Sequence, residues 1–188
     1  MALTYKDITF TSLLTLTQII MGYTHYWDLK NPTKKNSQQF IDVMLDVEVI
    51  MSNLPKFSTS AGGHYKEYPI VIKNGLGEGL PIINRKEILI NGDASENLDH
   101  ETFYFNFVNH EDQSGFCKTA RKPYDFVVCC ILISLANRVD GFEVSSDGDW
   151  EDWKDCYRFY EECVSKNISD NVRKCLGYYE QEQGIRMD

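Results

Sequence analysis

Residues 123–137 read PYDFVVCCILISLAN, and this stretch decides the fold. Its proline suits the first turn of a helix, and residues 126–135 form the longest apolar run of the chain. Because the run is apolar on nearly every side, it predicts a central helix over residues 124–137 rather than one on the surface. The run falls far short of the ~20 residues that span a bilayer, so no membrane partner is predicted.

Shorter elements are predicted on both sides of this helix. The predicted strands are residues 22–27, 69–72, 87–90, 102–107 and 142–146. The other predicted helices are residues 37–53, 149–164 and 169–182. Residues 56–80 are otherwise loop-like, and Asp42 and Asp46 are predicted on the polar face of the helix at 37–53. The order predicts an α+β fold: a small, mostly antiparallel sheet packed on the central apolar helix, with C-terminal helices.

Length and composition indicate one domain with a sizeable core. The chain has 188 residues, 43% of them apolar. Residues 21–188 form the predicted domain. Residues 1–20 include a stretch rich in β-branched residues and are interpreted as an N-terminal extension, with Met21 as an alternative start. The net charge of -9 argues against general nucleic-acid binding, which needs a basic face. None of the six cysteines forms a C-x-x-C pair, so a zinc ribbon or a thioredoxin-like motif is not predicted. The first twenty residues lack the pattern of a signal peptide, which favours a reducing, cytoplasmic setting.

A basic cluster precedes the central helix, in the stretch CKTARKPYD at residues 117–125. The cations are Lys118, Arg121 and Lys122, Thr119 adds a hydroxyl donor, and the helix N-terminus also favours negative charge. This combination predicts a binding site for a phosphate or carboxylate. The alternative is that these cations neutralise some of the many acidic residues.

The stretch GYTHYW at residues 22–27 is an aromatic strand with one histidine. On a strand, Tyr23, His25 and Trp27 share one face. Such a face suits base stacking or proton transfer, so His25 is the candidate general acid or base. The alternative is a core strand with a hydrogen-bonded histidine.

Acidic residues alternate with small ones in SSDGDWEDW at residues 145–153. Asp147 and Asp149 could bind a divalent cation or accept hydrogen bonds from ribose hydroxyls. The structural alternative is that Asp149 caps the following helix, with Trp150 and Trp153 packed inward. The four histidines are scattered and no H-x-x-x-H, P-loop or Rossmann fingerprint is present. The sequence therefore predicts no metal site and no cofactor.

These three stretches, together with an N-G-D followed by E-x-F-x-F at residues 91–105, resemble a group of small uncharacterised proteins of tailed bacteriophages and their bacterial hosts. The resemblance covers residues 21–153 and rests on the combination of these motifs. It implies a phage accessory protein of the host cytoplasm that counters host defence.

Motifs and resemblance together predict capture of a small phosphorylated, nucleotide-like ligand such as a host immune signal. The predicted ligand-binding residues are Tyr23, His25, Trp27, Lys118, Thr119, Arg121, Tyr124, Asp147 and Asp149. Two alternatives are an acidic inhibitor of a host defence protein and a hydrolase of the nucleotide signal. For the inhibitor, residues 143–162 carry eight acidic and two basic side chains. A homo-oligomer and a host protein partner both stay open.

Overall fold

Eight strands and four helices make up the part of the chain that the structure, a computed structural model, describes: residues 22–61, 64–108 and 111–178. The strands are β1 (Thr24–Leu29), β2 (Lys56–Ala61), β3 (His64–Pro69), β4 (Ile82–Ile83), β5 (Glu87–Ile90), β6 (Phe103–Asn106), β7 (Gln113–Lys118) and β8 (Phe142–Ser146). The helices are α1 (Lys34–Ser52), α2 (Asp125–Arg138), α3 (Trp150–Cys163) and α4 (Asp170–Cys175). The α+β class is confirmed. The predicted extension at residues 1–20 lies outside the described residues.

The central helix predicted from the apolar run is confirmed as α2. Its residues 126–136 are all buried, because α1, α3 and α4 pack around it and β8 covers it from the sheet side. Leucine, isoleucine and valine side chains released from water here supply most of the driving force for folding. Because α2 is enclosed on every side, the layers of the fold are arranged around it.

Strand pairs are antiparallel throughout the described sheets, which number three rather than the predicted one. The first sheet has the order β7-β1-β8, the second β4-β5-β6, and β2 pairs only with β3. In β1, Tyr26 and Asp28 point outward while Trp27 and Leu29 point into the core, as the period of two requires. The second sheet contributes Phe105, whose ring contacts Phe142 of β8. The two three-stranded sheets thereby share one apolar core with α2.

The strand predicted at residues 69–72 is wrong, and residues 56–80 are not all loop. The segment holds the hairpin of β2 and β3, which ends at Pro69. After it, only Lys73 is paired, in a single bridge to Asn91. The hairpin was missed because its strands pair with each other and not with the core, so they lack the apolar alternation that marks a half-buried strand.

Two further predictions differ from the structure. β7 was not predicted, because its ladder partner β1 lies about 90 residues earlier and the strand carries only one fully buried side chain, Cys117. The last helix is shorter than predicted: α4 ends at Cys175, and residues from 179 onward lie outside the described part. No helix among the described residues is long and apolar enough to cross a membrane.

Candidate functional site

The three motif stretches meet at one end of the first sheet. Lys118, at the end of β7, lies opposite Thr24 of β1. The turn that follows β7 crosses the start of β1, where the amides of Thr119 and Ala120 donate to the carbonyl of Tyr23 at 3.0 and 3.3 Å. From the other side, a carboxylate oxygen of Asp147 accepts from the Thr24 amide at 3.0 Å. Segments that are about 100 residues apart in sequence thus form one hydrogen-bonded unit.

The turn of the basic cluster has an unusual backbone. Ala120 and Arg121 both adopt left-handed conformations, with φ of 50° and 55°. For residues with a Cβ this costs roughly 1–2 kcal/mol each, so the surrounding contacts must hold the turn in place. The hydrogen bond from the Lys122 amide to the Thr119 carbonyl, at 3.0 Å, closes it. A strained turn of this kind is a feature that marks functional sites.

This turn holds Arg121 over an aromatic ring. The guanidinium lies 3.9 Å from the centroid of the Tyr23 ring, and its Nη2 donates to both carboxylate oxygens of Asp152 at 3.0 and 3.1 Å. The side chain is still 56% exposed. Among the described residues, its Nη1 and Nε make no hydrogen bond, so they are available to an anion in solution.

A second cluster lies beneath the turn, where His25 meets the start of α2. Nε2 of His25 is 2.7 Å from Oδ1 of Asp125, and the hydroxyl of Thr119 donates to the same oxygen at 2.5 Å. The sulfur of Cys129, one turn along α2, lies 3.5 Å from Nε2. His25 and Cys129 are completely buried, whereas the Asp125 side chain is 18% exposed. Burial raises the pKa of the Cys129 thiol.

Two buried polar atoms near this cluster have no partner among the described residues: Nδ1 of His25 and the hydroxyl of Tyr23. Their rings meet edge to face at 4.9 Å. Burial raises the pKa of the Tyr23 hydroxyl, which stays neutral. A buried polar atom without a hydrogen-bond partner lowers the stability of the fold. The described residues therefore leave the hydrogen-bonding capacity of these two atoms unused.

The other predicted residues have structural partners. Trp27 packs against Phe103 at 5.1 Å, and the hydroxyl of Tyr124 donates to the Glu101 carbonyl at 2.7 Å. Both side chains are buried. Asp149 caps α3 by accepting from the Glu151 amide at 2.9 Å, which confirms the capping alternative.

Burial therefore separates the predicted set into two groups. Lys118, Arg121, Asp147 and Asp149 reach the surface fully or in part, whereas the side chains predicted to stack on a base or position it are core residues: Tyr23, His25, Trp27, Thr119 and Tyr124. A ligand at the surface cannot touch the second group unless the sheet opens. The basic cluster is also divided, because Nζ of Lys122 donates to the Asn97 carbonyl at 2.7 Å, away from Arg121.

A cleft of about 360 Å³ lies beside the three-stretch junction. Its walls are the turn before α3 and the end of α4, formed by Ser145, Ser146, Gly148, Asp149, Trp150, Trp153 and residues 174–177. Gly148 connects it to Arg121: a Cβ at this position would lie 2.7 Å from the Asp152 carboxylate and 2.6 Å from the Tyr23 hydroxyl. The cleft thus adjoins the carboxylate that pairs with Arg121 and one of the unpartnered atoms.

Sequence reasoning missed Asp125, Cys129 and Asp152 as members of this site. Asp125 and Cys129 were seen only as a motif acid and a core residue, although their spacing of four places them on one face of a helix. That spacing was the available signal. The pairing of Asp152 with Arg121 had none, because it depends on how α3 packs against the turn.

Comparison of the chain with models of known protein families, with curated proteins and with solved structures gives no match. The function is therefore inferred from the residues and their arrangement.

Proposed function

We propose that this protein binds a small phosphorylated, nucleotide-like ligand at the junction of the three stretches and sequesters it. The observation that carries the proposal is Arg121: two consecutive left-handed residues hold its half-exposed guanidinium on Asp152, whose carboxylate lies next to Gly148 in the wall of the cleft. Such strain persists only where surrounding structure enforces it, and a positioned arginine suits phosphate because of its planar donors.

Side chains that line the cleft suit the base and the sugar of such a ligand. Trp150 is half-buried and offers an aromatic face, and its ring is fixed by edge contacts with Tyr157 at 5.2 Å and Tyr178 at 4.7 Å. Ser145 and Asp149 supply exposed polar groups for sugar hydroxyls, and Lys174 supplies a second cation. Aromatic, polar and cationic groups around one cleft are the usual composition of a small-ligand site.

Binding without turnover is favoured because His25, the candidate general acid or base, is not among the residues that line the cleft. His25 is completely buried and engaged with Asp125. A general base must reach the proton that it removes, directly or through one water. The resemblance to phage proteins adds the biological context: the ligand would be a nucleotide immune signal of the host, held away from its receptor.

A melting-temperature screen of the full chain tests this proposal. The panel is cyclic dinucleotides, cyclic oligonucleotides, ADP-ribose derivatives and plain nucleotides, each mixture then being run on a column to detect products. A ligand at 100 times its Kd should stabilise the protein by roughly 2.7 kcal/mol. A shift with the ligand intact supports sequestration, and a shift with new products supports the hydrolase instead.

A charge-reversal pair locates the site. Lys174→Glu, in the wall of the cleft, should abolish the shift, whereas Lys30→Glu makes the same change of charge at the opposite end of β1 and should leave it intact. If no compound shifts the melting temperature, or if both variants respond like the parent, the proposal fails.

A second candidate function, inhibition of a host protein by an acidic surface, is favoured by the exposure of five acids on and around β8 and α3. They are Glu143, Asp147, Asp149, Glu151 and Glu162. Such a surface attracts basic partners over a distance and weakens with salt. A negative ligand screen followed by salt-sensitive capture of a basic host protein would favour this function.

A further inference from the structure

Three metal-binding side chains converge beneath the strained turn. Nε2 of His25, a carboxylate oxygen of Asp125 and Sγ of Cys129 all lie within 4.8 Å of one another. Imidazole, carboxylate and thiolate are the three side-chain donors that zinc uses in proteins. The cluster brings one of each together, from β1 and from two successive turns of α2.

We propose that His25, Asp125 and Cys129 bind a divalent transition-metal ion, Zn²⁺ foremost, with a fourth coordination position open toward solvent. This departs from the sequence-based prediction of no metal site. The proposal does not depend on the nucleotide-like ligand, because its donors are the buried side chains rather than those that line the cleft.

The separations are close to those of a tetrahedral site. With bonds of about 2.0 Å to nitrogen and about 2.3 Å to sulfur, the two ligand atoms of such a site lie about 3.5 Å apart. Sγ of Cys129 lies 3.5 Å from Nε2 of His25 and 3.9 Å from Oδ2 of Asp125. Nε2 of His25 lies 2.7 Å from the other oxygen, Oδ1 of Asp125, and this contact must give way for Nε2 and Oδ2 to face one ion.

Asp125 is the ligand whose side chain can move. It also lies on the side of the cluster from which an ion can enter. Its side chain is 18% exposed, whereas His25 and Cys129 are completely buried. The Thr119 hydroxyl holds Oδ1 at 2.5 Å, which leaves Oδ2, the oxygen nearer to the sulfur, to bind the ion. Water fills the fourth position from the same side, as in metal sites with three protein ligands.

Proton positions are consistent with this assignment. Binding displaces the thiol proton of Cys129 to solvent and requires a lone pair on Nε2 of His25, so the ring proton moves to Nδ1. Metal-bound histidines donate this second N–H to a partner. The candidate partner for Nδ1 of His25 is the Tyr23 hydroxyl, whose ring is the neighbour of His25 on the same strand face. This hydroxyl is the other buried side-chain polar atom without a partner in the described residues.

Cobalt provides the decisive measurement, because Co²⁺ substitutes for Zn²⁺ and is coloured. The full-length protein is freed of metal with a chelator and titrated with Co²⁺ under reducing conditions. We expect saturation at one ion per chain, d–d absorption of tetrahedral intensity and a thiolate-to-cobalt charge-transfer band that disappears when Zn²⁺ is added. No saturable binding, or binding without a charge-transfer band, would overturn the proposal.

Matched variants identify the ligands. Cys129→Ser should remove the charge-transfer band, whereas Cys130→Ser makes the same change at the next residue of α2, which is equally buried, and should keep it. Asp125→Asn, at the partly exposed position, should weaken Zn²⁺ binding more than about tenfold, since even the partner of a metal ligand contributes about 10- to 100-fold. Asp125→Asn keeps the size of a side chain that is partly exposed, so it remains informative if Cys129→Ser fails to fold.

Cys156 is the alternative to Cys129 as the sulfur ligand of the proposed ion. Cys156 of α3 is buried beside Cys130, whose thiol donates to the Cys156 carbonyl at 3.9 Å. If Cys156→Ser removes the charge-transfer band while Cys129→Ser keeps it, the assignment of Cys129 as the sulfur ligand is wrong.

Discussion

Asp46 is the residue whose role differs most from its place in the sequence pattern. It was predicted on the polar face of α1 with Asp42, yet it is buried. Its carboxylate accepts from the Ser134 hydroxyl at 2.7 Å, the Tyr160 hydroxyl at 2.6 Å, and Nε and Nη2 of Arg138 at 2.9 Å each. One side chain thus connects α1 to α2 and α3.

Replacing Asp46 with asparagine should lower the free energy of unfolding by about 3 kcal/mol, because Arg138 and two hydroxyls lose a buried anion. Urea unfolding measures the change. Asp42→Asn, one turn earlier on α1, is the control and should stay within about 0.5 kcal/mol of the parent. Equal effects of the two substitutions would show that the buried network contributes nothing.

Among the strands, β7 depends on a missing side chain. Gly115 is the register partner of Trp27 in β1, and a Cβ at this position would lie 2.5 and 2.6 Å from carbons of the indole. Trp27 is itself buried against Phe103 of the second sheet, so the ring cannot swing away. The glycine therefore lets the indole lie across β7.

Gly115→Ala should destabilise the protein by about 1–3 kcal/mol through overpacking. The control is Ser114→Ala, the adjacent exposed residue on the opposite face of β7, which should change stability by less than about 0.5 kcal/mol. Thermal or urea unfolding distinguishes the two. A neutral Gly115→Ala would mean that Trp27 does not occupy the position seen here.

For the molecule as a whole, the cysteines report how completely the core is closed. All six are free thiols: four are buried, at positions 117, 129, 130 and 156, and Cys163 and Cys175 are half-buried. Modification requires both access and thiolate character. A folded, closed core should therefore admit a thiol reagent at two positions.

A coloured disulfide reagent should titrate about two thiols rapidly in the native protein and all six in denaturant. The variant with Cys163→Ser and Cys175→Ser should show almost no rapid reaction before unfolding. Rapid reaction of five or six thiols in the native parent would contradict the enclosed position of α2.

Local patterns were enough to predict most of the elements. The apolar run at residues 126–135 predicted α2, residues 142–146 predicted β8, and Asp149 predicted the start of α3. Each of these signals is carried by neighbours within one or two turns, where periodicity and capping act. The burial of α2 also followed, because a helix that is apolar all round has to be enclosed.

The candidate site depends on contacts that no local pattern contains. His25 and Asp125 are 100 positions apart, and Asp46 meets Tyr160 across 114. β7 becomes a strand because β1 offers it a ladder, and the strained turn at Ala120 and Arg121 follows from that pairing. A sequence records propensity and periodicity over a few residues, whereas the partners of a buried polar group or a strand edge are set by how distant segments pack. For this chain, the helices and the core could therefore be predicted from the sequence, whereas the contacts within the candidate site could not.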